Sequence, residues 1–234
     1  REDVVDKVIK RDVLTLFKVR SPLLMEKLFL YLCMNSTEIF SATTAAKELD
    51  NISPNTIESY VDALVKSNLI YMAYPIAVGS KSVLKGRPKI YIADAAILMV
   101  DDVLSDEREL GLLIETTVYK HLVSFYQGTG AQLGYYRKAK ENQKEVDAVI
   151  ELPQQKILCE VKYKNNSHIP QTDGIVELCN DPKAGITDAF VITKQLEDFG
   201  VTRHETSPKI YRIPAIAFLY LIGKEESDGM SGRL

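Results

Sequence analysis

The sequence predicts an α/β (α+β) protein of two domains: three helices with a β-hairpin, then an α/β sandwich with a mixed central sheet. The chain has 234 residues, of which 46% are hydrophobic and 26% charged, as in ordinary globular proteins. Helical periodicity dominates residues 21–67, whereas strands and helices alternate after residue 110. An acidic stretch, Asp101–Glu109, separates the two patterns and places the domain boundary near residues 96–108.

Composition limits the location and the partners. No apolar run approaches the roughly 20 residues of a membrane span, and no signal peptide is present. The net charge of −3 argues against a strongly basic nucleic-acid binder, so any DNA contact must be local. The cysteines show no metal-ligand spacing and indicate core positions in a reducing compartment, which predicts a cytoplasmic protein. They are Cys33, Cys159 and Cys179.

Serine-proline pairs begin two of the three N-terminal helices. Ser21 precedes Pro22 and Ser53 precedes Pro54, the pattern of an N-cap followed by proline at the first helical position. The second helix begins at Ser41. Each helix carries apolar residues at steps of three or four, so the three are expected to pack on one core.

A β-hairpin is predicted to follow these helices. Strand-like segments 69–75 and 89–93 flank a loop rich in glycine and lysine, and the order predicts a winged helix-turn-helix over residues 21–96. Its basic residues are candidates for phosphate-backbone contact with DNA. They are Lys81, Lys85, Arg87 and Lys89. The alternative is a spacer or protein-contact wing with a solvated lysine loop, because the third helix is not basic; a wing that mediates homo-oligomer formation is a third reading.

The second domain is predicted to begin with a helix over Leu110–Tyr126. Glu115 falls on its apolar stripe, and an inward-facing glutamate is costly unless it is paired or binds a ligand. Glu115 is therefore a candidate site residue. The alternative places Glu115 at the edge of the stripe, paired with a neighbouring base.

The segment Lys144–Lys164 predicts two short strands joined by a turn at Pro153 and Gln154. A turn centred between these two residues puts Asp147 directly across from Glu160. The opposite face of the hairpin is then apolar or small, which predicts a hairpin with one face on a core. That face holds Val146, Ala148, Ile150, Ile157, Cys159 and Val161.

The polar face of this hairpin predicts a cation site. Directly opposed side chains lie about 4.5–5.5 Å apart at Cβ, and like charges there repel. Asp147 against Glu160 is therefore unfavourable unless a hard cation such as Mg²⁺ (or Mn²⁺) lies between them, with the carbonyl of Val161 as a further ligand. Lys162 projects from the same face and adds positive charge. The alternative is a surface hairpin with ordinary Glu–Lys cross-strand pairs.

A second basic cluster precedes this hairpin, where a phosphate backbone would approach. It contains Arg137, Lys138, Lys140 and Lys144. An exposed charged loop is the alternative. Beyond the hairpin, a helix is predicted over 171–179, strands over 189–193 and 209–213, a helix over 215–222, and a disordered tail over 223–234.

The residues of the hairpin resemble the motif of the PD-(D/E)XK nuclease superfamily. Asp147 matches the first acid of that motif, Glu160 and Lys162 match its E-x-K element, and Glu115 matches the helical acid that often precedes them. The resemblance implies a restriction-endonuclease-like fold over residues 97–222, with Asp147, Glu160, Lys162 and Glu115 catalytic and the three acids binding Mg²⁺ or Mn²⁺.

A wider resemblance covers roughly residues 10–222. The segments RPKIYIADAAIL, GLLIETTVYKHL, KEVDAVIE and ILCEVKYK are similar to the C-terminal half of a group of bacterial and archaeal AAA-type ATPases. In those proteins a P-loop ATPase domain precedes a winged helix and a nuclease-like domain. The resemblance implies that residues 1–20 are the remnant of that ATPase domain, a partner in cis. ATP binding and ATPase activity are then expected only in the missing domain.

Two functions follow from these patterns. One is a metal-dependent deoxyribonuclease module acting on DNA phosphodiesters for the ATPase. The alternative is a catalytically silent nuclease-fold module that binds DNA or a partner protein. No membrane partner is expected.

Overall fold

A computed structural model of the chain describes residues 13–17, 19–79, 86–98, 107–138 and 144–231. The described residues of Arg1–Ala73 and Arg87–Leu104 form one compact unit, and those of Tyr74–Gly86 and Ser105–Leu234 form a second. The last division between the two units falls at residue 104. The segment that follows Ala73 differs from the expectation, because it belongs to the second unit.

The first unit consists of helices followed by a β-hairpin, in the predicted order. Ser21 Oγ accepts a hydrogen bond from the Leu24 N–H at 3.3 Å, so this predicted cap is formed. Ser41, predicted only as the start of the second helix, is also a cap, because its Oγ accepts a hydrogen bond from the Thr44 N–H at 3.3 Å. Ser53 precedes its helix without a side-chain cap. The elements are α1 (Leu14–Leu16), α2 (Pro22–Met34), α3 (Ala42–Glu48), α4 (Pro54–Lys66), β1 (Ile70–Pro75) and β2 (Lys89–Ile92).

β1 and β2 pair antiparallel, from Ile70 opposite Ile92 to Ala73 opposite Lys89, and Ile39 forms an isolated bridge to Lys89. The core of this unit includes Val13, which is 1% exposed, with Phe17 and Val19 packed against it. The described part of residues 1–20 therefore packs into the first unit, where a remnant of a preceding domain was expected.

The second unit contains a mixed sheet between helices. Its strands are ordered β1-β3-β4-β5-β6-β8-β7, with the last two residues of β1 at one edge. β6 lies between β5 and β8 and is parallel to both, whereas the β3–β4, β4–β5 and β7–β8 pairs are antiparallel. The elements are α5 (Glu107–Tyr126), β3 (Gln132–Arg137), β4 (Glu145–Glu151), β5 (Lys156–Lys162), α6 (Gly174–Cys179), β6 (Asp188–Thr193), β7 (Gly200–Val201), β8 (Ile210–Pro214) and α7 (Ala215–Ser231).

The β4–β5 hairpin is buried on both faces, which corrects the predicted single apolar face. Val149 and Leu158, predicted on the polar face, are fully buried in a core with residues of α6. Val146 joins them because β4 carries one more residue than β3 between the pairs Gly134–Val149 and Tyr136–Val146. This bulge reverses the alternation of side chains along β4, so the period-2 pattern does not hold through Asp147.

The C-terminal helix is longer than predicted. α7 continues from Ala215 to Ser231, so the expected disordered tail is helical up to that residue. Lysine and glutamate after Gly223 are good helix formers and allow the extension. Within the described residues, no helix combines the length and apolarity that a membrane crossing needs.

Candidate functional site

The register of the β4–β5 hairpin brings the two predicted acids together. Ala148 pairs with Cys159 and Glu151 with Lys156, and the backbone groups of Leu152 and Gln155 close the turn. This is the register predicted from the turn at Pro153. Continued by one residue, it sets Asp147 against Glu160.

At this point side chains replace the backbone hydrogen bonds of the ladder. The Val161 N–H donates to Asp147 Oδ2 at 2.8 Å, and the Asp147 N–H donates to Glu160 Oε2 at 3.3 Å. Each carboxylate thus accepts a hydrogen bond from a backbone amide of the opposite strand. The two acids are held in a fixed arrangement where the strands β4 and β5 separate.

Lys162 lies beside this pair and contacts two acids. Its Nζ is 2.6 Å from Glu160 Oε1 and 3.2 Å from Asp173 Oδ2. The side chains of Glu160 and Asp173 are only 8% and 9% exposed, and that of Lys162 is 20% exposed. Lys162 is therefore a nearly buried counter-ion shared by two carboxylates.

Asp173 is a site residue that the sequence prediction missed. It is the N-cap of α6, where its Oδ1 accepts a hydrogen bond from the Ile175 N–H at 3.4 Å. Gly174 allows the approach, since a Cβ there would lie 2.7 Å from the carbonyl oxygen of Glu145 on β4. An Asp-Gly pair before an apolar helix is the N-cap signal that could have identified Asp173, although it gives no hint of Lys162.

The charges of this cluster perturb its titration. Burial and the Asp147 carboxylate raise the pKa of Glu160 well above its ordinary value, although Lys162 opposes this. Burial alone would lower the pKa of Lys162, but the charge and hydrogen bond of Glu160, followed by those of Asp173, raise it. The pKa values of Glu160 and Lys162 are therefore set by each other and by the neighbouring acids.

Glu115 is half-buried on α5, beside the buried stripe of Thr116, Tyr119 and Leu122. Burial, followed by the charges of Asp147, Glu160 and Glu115, raises the pKa of the buried Cys159 thiol. Cys159 is thus a common electrostatic neighbour of all three predicted acids. In the part of the chain that the structure describes, no three His, Cys, Asp or Glu side chains are gathered into a preformed metal site.

The predicted basic residues of the wing differ in position. Arg87 is exposed. Lys89 is only 4% exposed, which contradicts its predicted place on a DNA-facing surface; it lies in β2, where it is paired with Ala73 and bridged by Ile39. Lys81 and Lys85 lie outside the described residues.

The basic cluster before the hairpin is bound by acids. Lys138 and Lys144 each place Nζ 2.6 Å from Glu177, which is on α6, and these hydrogen bonds lower the pKa of Glu177. Arg137 lies 3.6 Å from Glu145. Lys140 lies outside the described residues. Three of the four predicted phosphate contacts are therefore ion-paired within the second unit.

Two family matches meet close to the division of the structure at residue 104, although the first match also includes Tyr74–Gly86 of the second unit. Residues 110–215 match a domain of unknown function, DUF4143. Residues 1–107 match a second domain of unknown function, DUF8612. The DUF4143 match contains the whole Asp147, Glu160, Lys162 and Asp173 cluster. The DUF8612 match contains the helices and the hairpin of the first unit, together with residues 1–20. No curated protein matches the chain.

Proposed function

We propose that the DUF4143 segment is a divalent-cation-dependent nuclease module acting on DNA phosphodiesters, carried at the C-terminal end of an AAA-type ATPase. The observation that carries the proposal is the arrangement of Asp147 and Glu160 across two separating strands, with the Lys162 ammonium beside them. Clusters of buried groups with perturbed pKa values are concentrated at functional sites.

Element order supports the proposed fold names. Three helices followed by an antiparallel hairpin, with Ile39 bridged to the second strand, agree with a winged helix in the first unit. In the second unit, the helix bearing Glu115 precedes the strand bearing Asp147 and the strand bearing Glu160 and Lys162. Both orders agree with the resemblance to the C-terminal half of AAA-type ATPases.

The residues present fit a hard cation. Asp147 and Glu160 offer carboxylate oxygens, and Mg²⁺ is commonly bound through one or two carboxylates with several waters retained. Two facing acids therefore suffice, and Glu115 would act through a water. The chemistry that Mg²⁺ or Mn²⁺ supplies at such a site is a water of lowered pKa and stabilisation of charge on the scissile phosphate. Lys162 would orient the attacking water or neutralise the developing charge.

A silent module that binds DNA or a partner protein is the second candidate, and specific contacts favour it. Lys162 is already engaged by Glu160 and Asp173, and Glu177 engages Lys138 and Lys144. Among the described residues, these three lysines are engaged by acids of the same unit and therefore have less to offer a phosphate backbone. The two candidates therefore differ in whether a cation and DNA displace these pairs.

A cleavage assay on linear and supercoiled DNA separates the candidates. Wild-type protein is compared with Asp147→Asn, whose amide oxygen can still accept from the Val161 N–H, and with Asp181→Asn as a control. Asp181 is an N-cap aspartate that accepts from the Lys183 N–H and is not one of the acids of the cluster. Cleavage that requires Mg²⁺ and is lost only in Asp147→Asn supports the nuclease. Equal cleavage by all three proteins, or none by any, contradicts it.

A further inference from the structure

Both carboxylate oxygens of Glu160 accept a hydrogen bond in this structure. Its Oε1 accepts from Lys162 at 2.6 Å, and its Oε2 accepts from the Asp147 N–H at 3.3 Å. A cation that binds Glu160 through Oε1 must therefore compete with the Lys162 ammonium. The Lys162 side chain is only 20% exposed, so another carboxylate close by favours release of its ammonium from Glu160.

Asp173 is such a carboxylate, and it is already in place. Its Oδ2 lies 3.2 Å from Lys162 Nζ, while its Oδ1 is fixed by the Ile175 N–H at the start of α6. The approach of α6 to β4 at Gly174 fixes the position of this cap. The ammonium can therefore pass from Glu160 to Asp173 by a small movement of the lysine side chain, with α6 stationary.

We propose that Asp173 is a positioning residue that retains the Lys162 ammonium when Glu160 binds a divalent cation. The inference rests on the proposed cation site and adds to it a residue outside the nuclease motif. In the free protein Lys162 is shared between the two acids. With a cation on Asp147 and Glu160, Lys162 is held by Asp173 alone, beside the position where a phosphate would lie.

Replacing Asp173 with asparagine tests this role through the binding of Mn²⁺ alone. Asparagine is as good an N-cap as aspartate, so α6 keeps its cap while the charge is removed. Lys162 then remains on Glu160 and competes with the cation. We expect Mn²⁺ affinity, measured by calorimetry and by electron paramagnetic resonance, to fall about tenfold. The free energy of a hydrogen bond to a charged group corresponds to a change in affinity of about this size. Asp181→Asn should leave the affinity unchanged.

The double variant separates this role from general loss of negative charge. If Asp173 acts through Lys162, then Asp173→Asn should have little effect on Mn²⁺ affinity in a Lys162→Met background, because the competitor is gone. General electrostatics would instead give the same loss in both backgrounds. Should Lys162→Met fail to fold, Lys162→Gln takes its place, since it removes the positive charge that competes with the cation and keeps a polar side chain at this position.

The outcomes also separate this inference from the proposed function. Wild-type protein that binds no Mn²⁺ would overturn the cation site and the role of Asp173 together. Mn²⁺ binding that is equal in wild type and Asp173→Asn, or weakened equally with and without Lys162, would overturn the role of Asp173 alone. A loss confined to proteins that contain Lys162 supports it.

Discussion

Replacing Lys162 with methionine removes the counter-ion of two nearly buried carboxylates. Its Nζ lies 2.6 Å from Glu160 and 3.2 Å from Asp173, and those side chains are 8% and 9% exposed. Removal of one partner from a buried ion pair costs about 3–5 kcal/mol, because the remaining charge is left uncompensated. Since Lys162 is itself 20% exposed, we expect the lower end of that range, about 3 kcal/mol.

Urea unfolding, followed by circular dichroism near neutral pH without divalent cations, measures this loss. Lys156→Met is the matched control, because Lys156 begins the same strand and pairs with Glu151 at 2.8 Å across the hairpin. Glu151 is 37% exposed, so the control should lose less than about 1 kcal/mol. Added Mn²⁺ should recover more stability in Lys162→Met than in wild type, because the cation replaces the missing charge.

The loss should also depend on pH. The raised pKa of Glu160 means that its contribution to stability is fully present below its unfolded pKa and is lost as pH rises through its folded pKa. Without Lys162, the ionisation of Glu160 costs more free energy. The loss of unfolding free energy in Lys162→Met should therefore be smaller at about pH 5, close to the pH at which carboxyl groups ordinarily titrate. A deficit no larger than that of Lys156→Met, or one independent of pH, would refute the reasoning.

Three further changes test the surroundings of the site. Glu177→Gln should lower the free energy of unfolding by roughly 0.5–1 kcal/mol at neutral pH. Because the pKa of Glu177 is lowered, the stability that it contributes is present above its unfolded pKa and is lost as pH falls through its folded pKa. Thermal unfolding in acid should therefore show no difference between this variant and wild type. Thr193→Val should raise the free energy of unfolding by about 1 kcal/mol, because Thr193 Oγ1 is buried without a hydrogen-bond partner in the described part of the chain. A lower free energy of unfolding in urea would show that the hydroxyl has a partner. Gly174→Ala should cost about 1–3 kcal/mol, because its Cβ would lie 2.7 Å from the Glu145 carbonyl oxygen; unchanged unfolding would contradict the close approach.

The sequence was informative where local geometry decides the outcome. A turn at Pro153 and Gln154 fixes the register of the hairpin, and the register alone brings Asp147 to Glu160. Serine-proline pairs likewise predicted the starts of α2 and α4, since proline at the first helical position needs no partner for its missing N–H.

Features that depend on distant neighbours were not predictable in this way. The bulge in β4 is defined by pairing with β3, so no pattern within β4 reveals that Val146 and Val149 share a face. Asp173 reaches Lys162 only because α6 packs closely on β4 at Gly174. Lys89, which is paired with Ala73 in the sheet, is only 4% exposed, although lysine is ordinarily a surface residue.

Two charge clusters on neighbouring elements of the second unit differ in a way that bears on function. Glu177 is one acid held by two lysines, at the surface, and the arrangement lowers its pKa. At the nearly buried cluster one ammonium, Lys162, serves two acids, and a third acid, Asp147, is close enough to raise the pKa of Glu160. Apolar residues of similar size would often serve the fold as well as buried charges do. Three carboxylates around one ammonium are therefore poorly explained by stability, and this is the place where the proposed divalent cation would add positive charge.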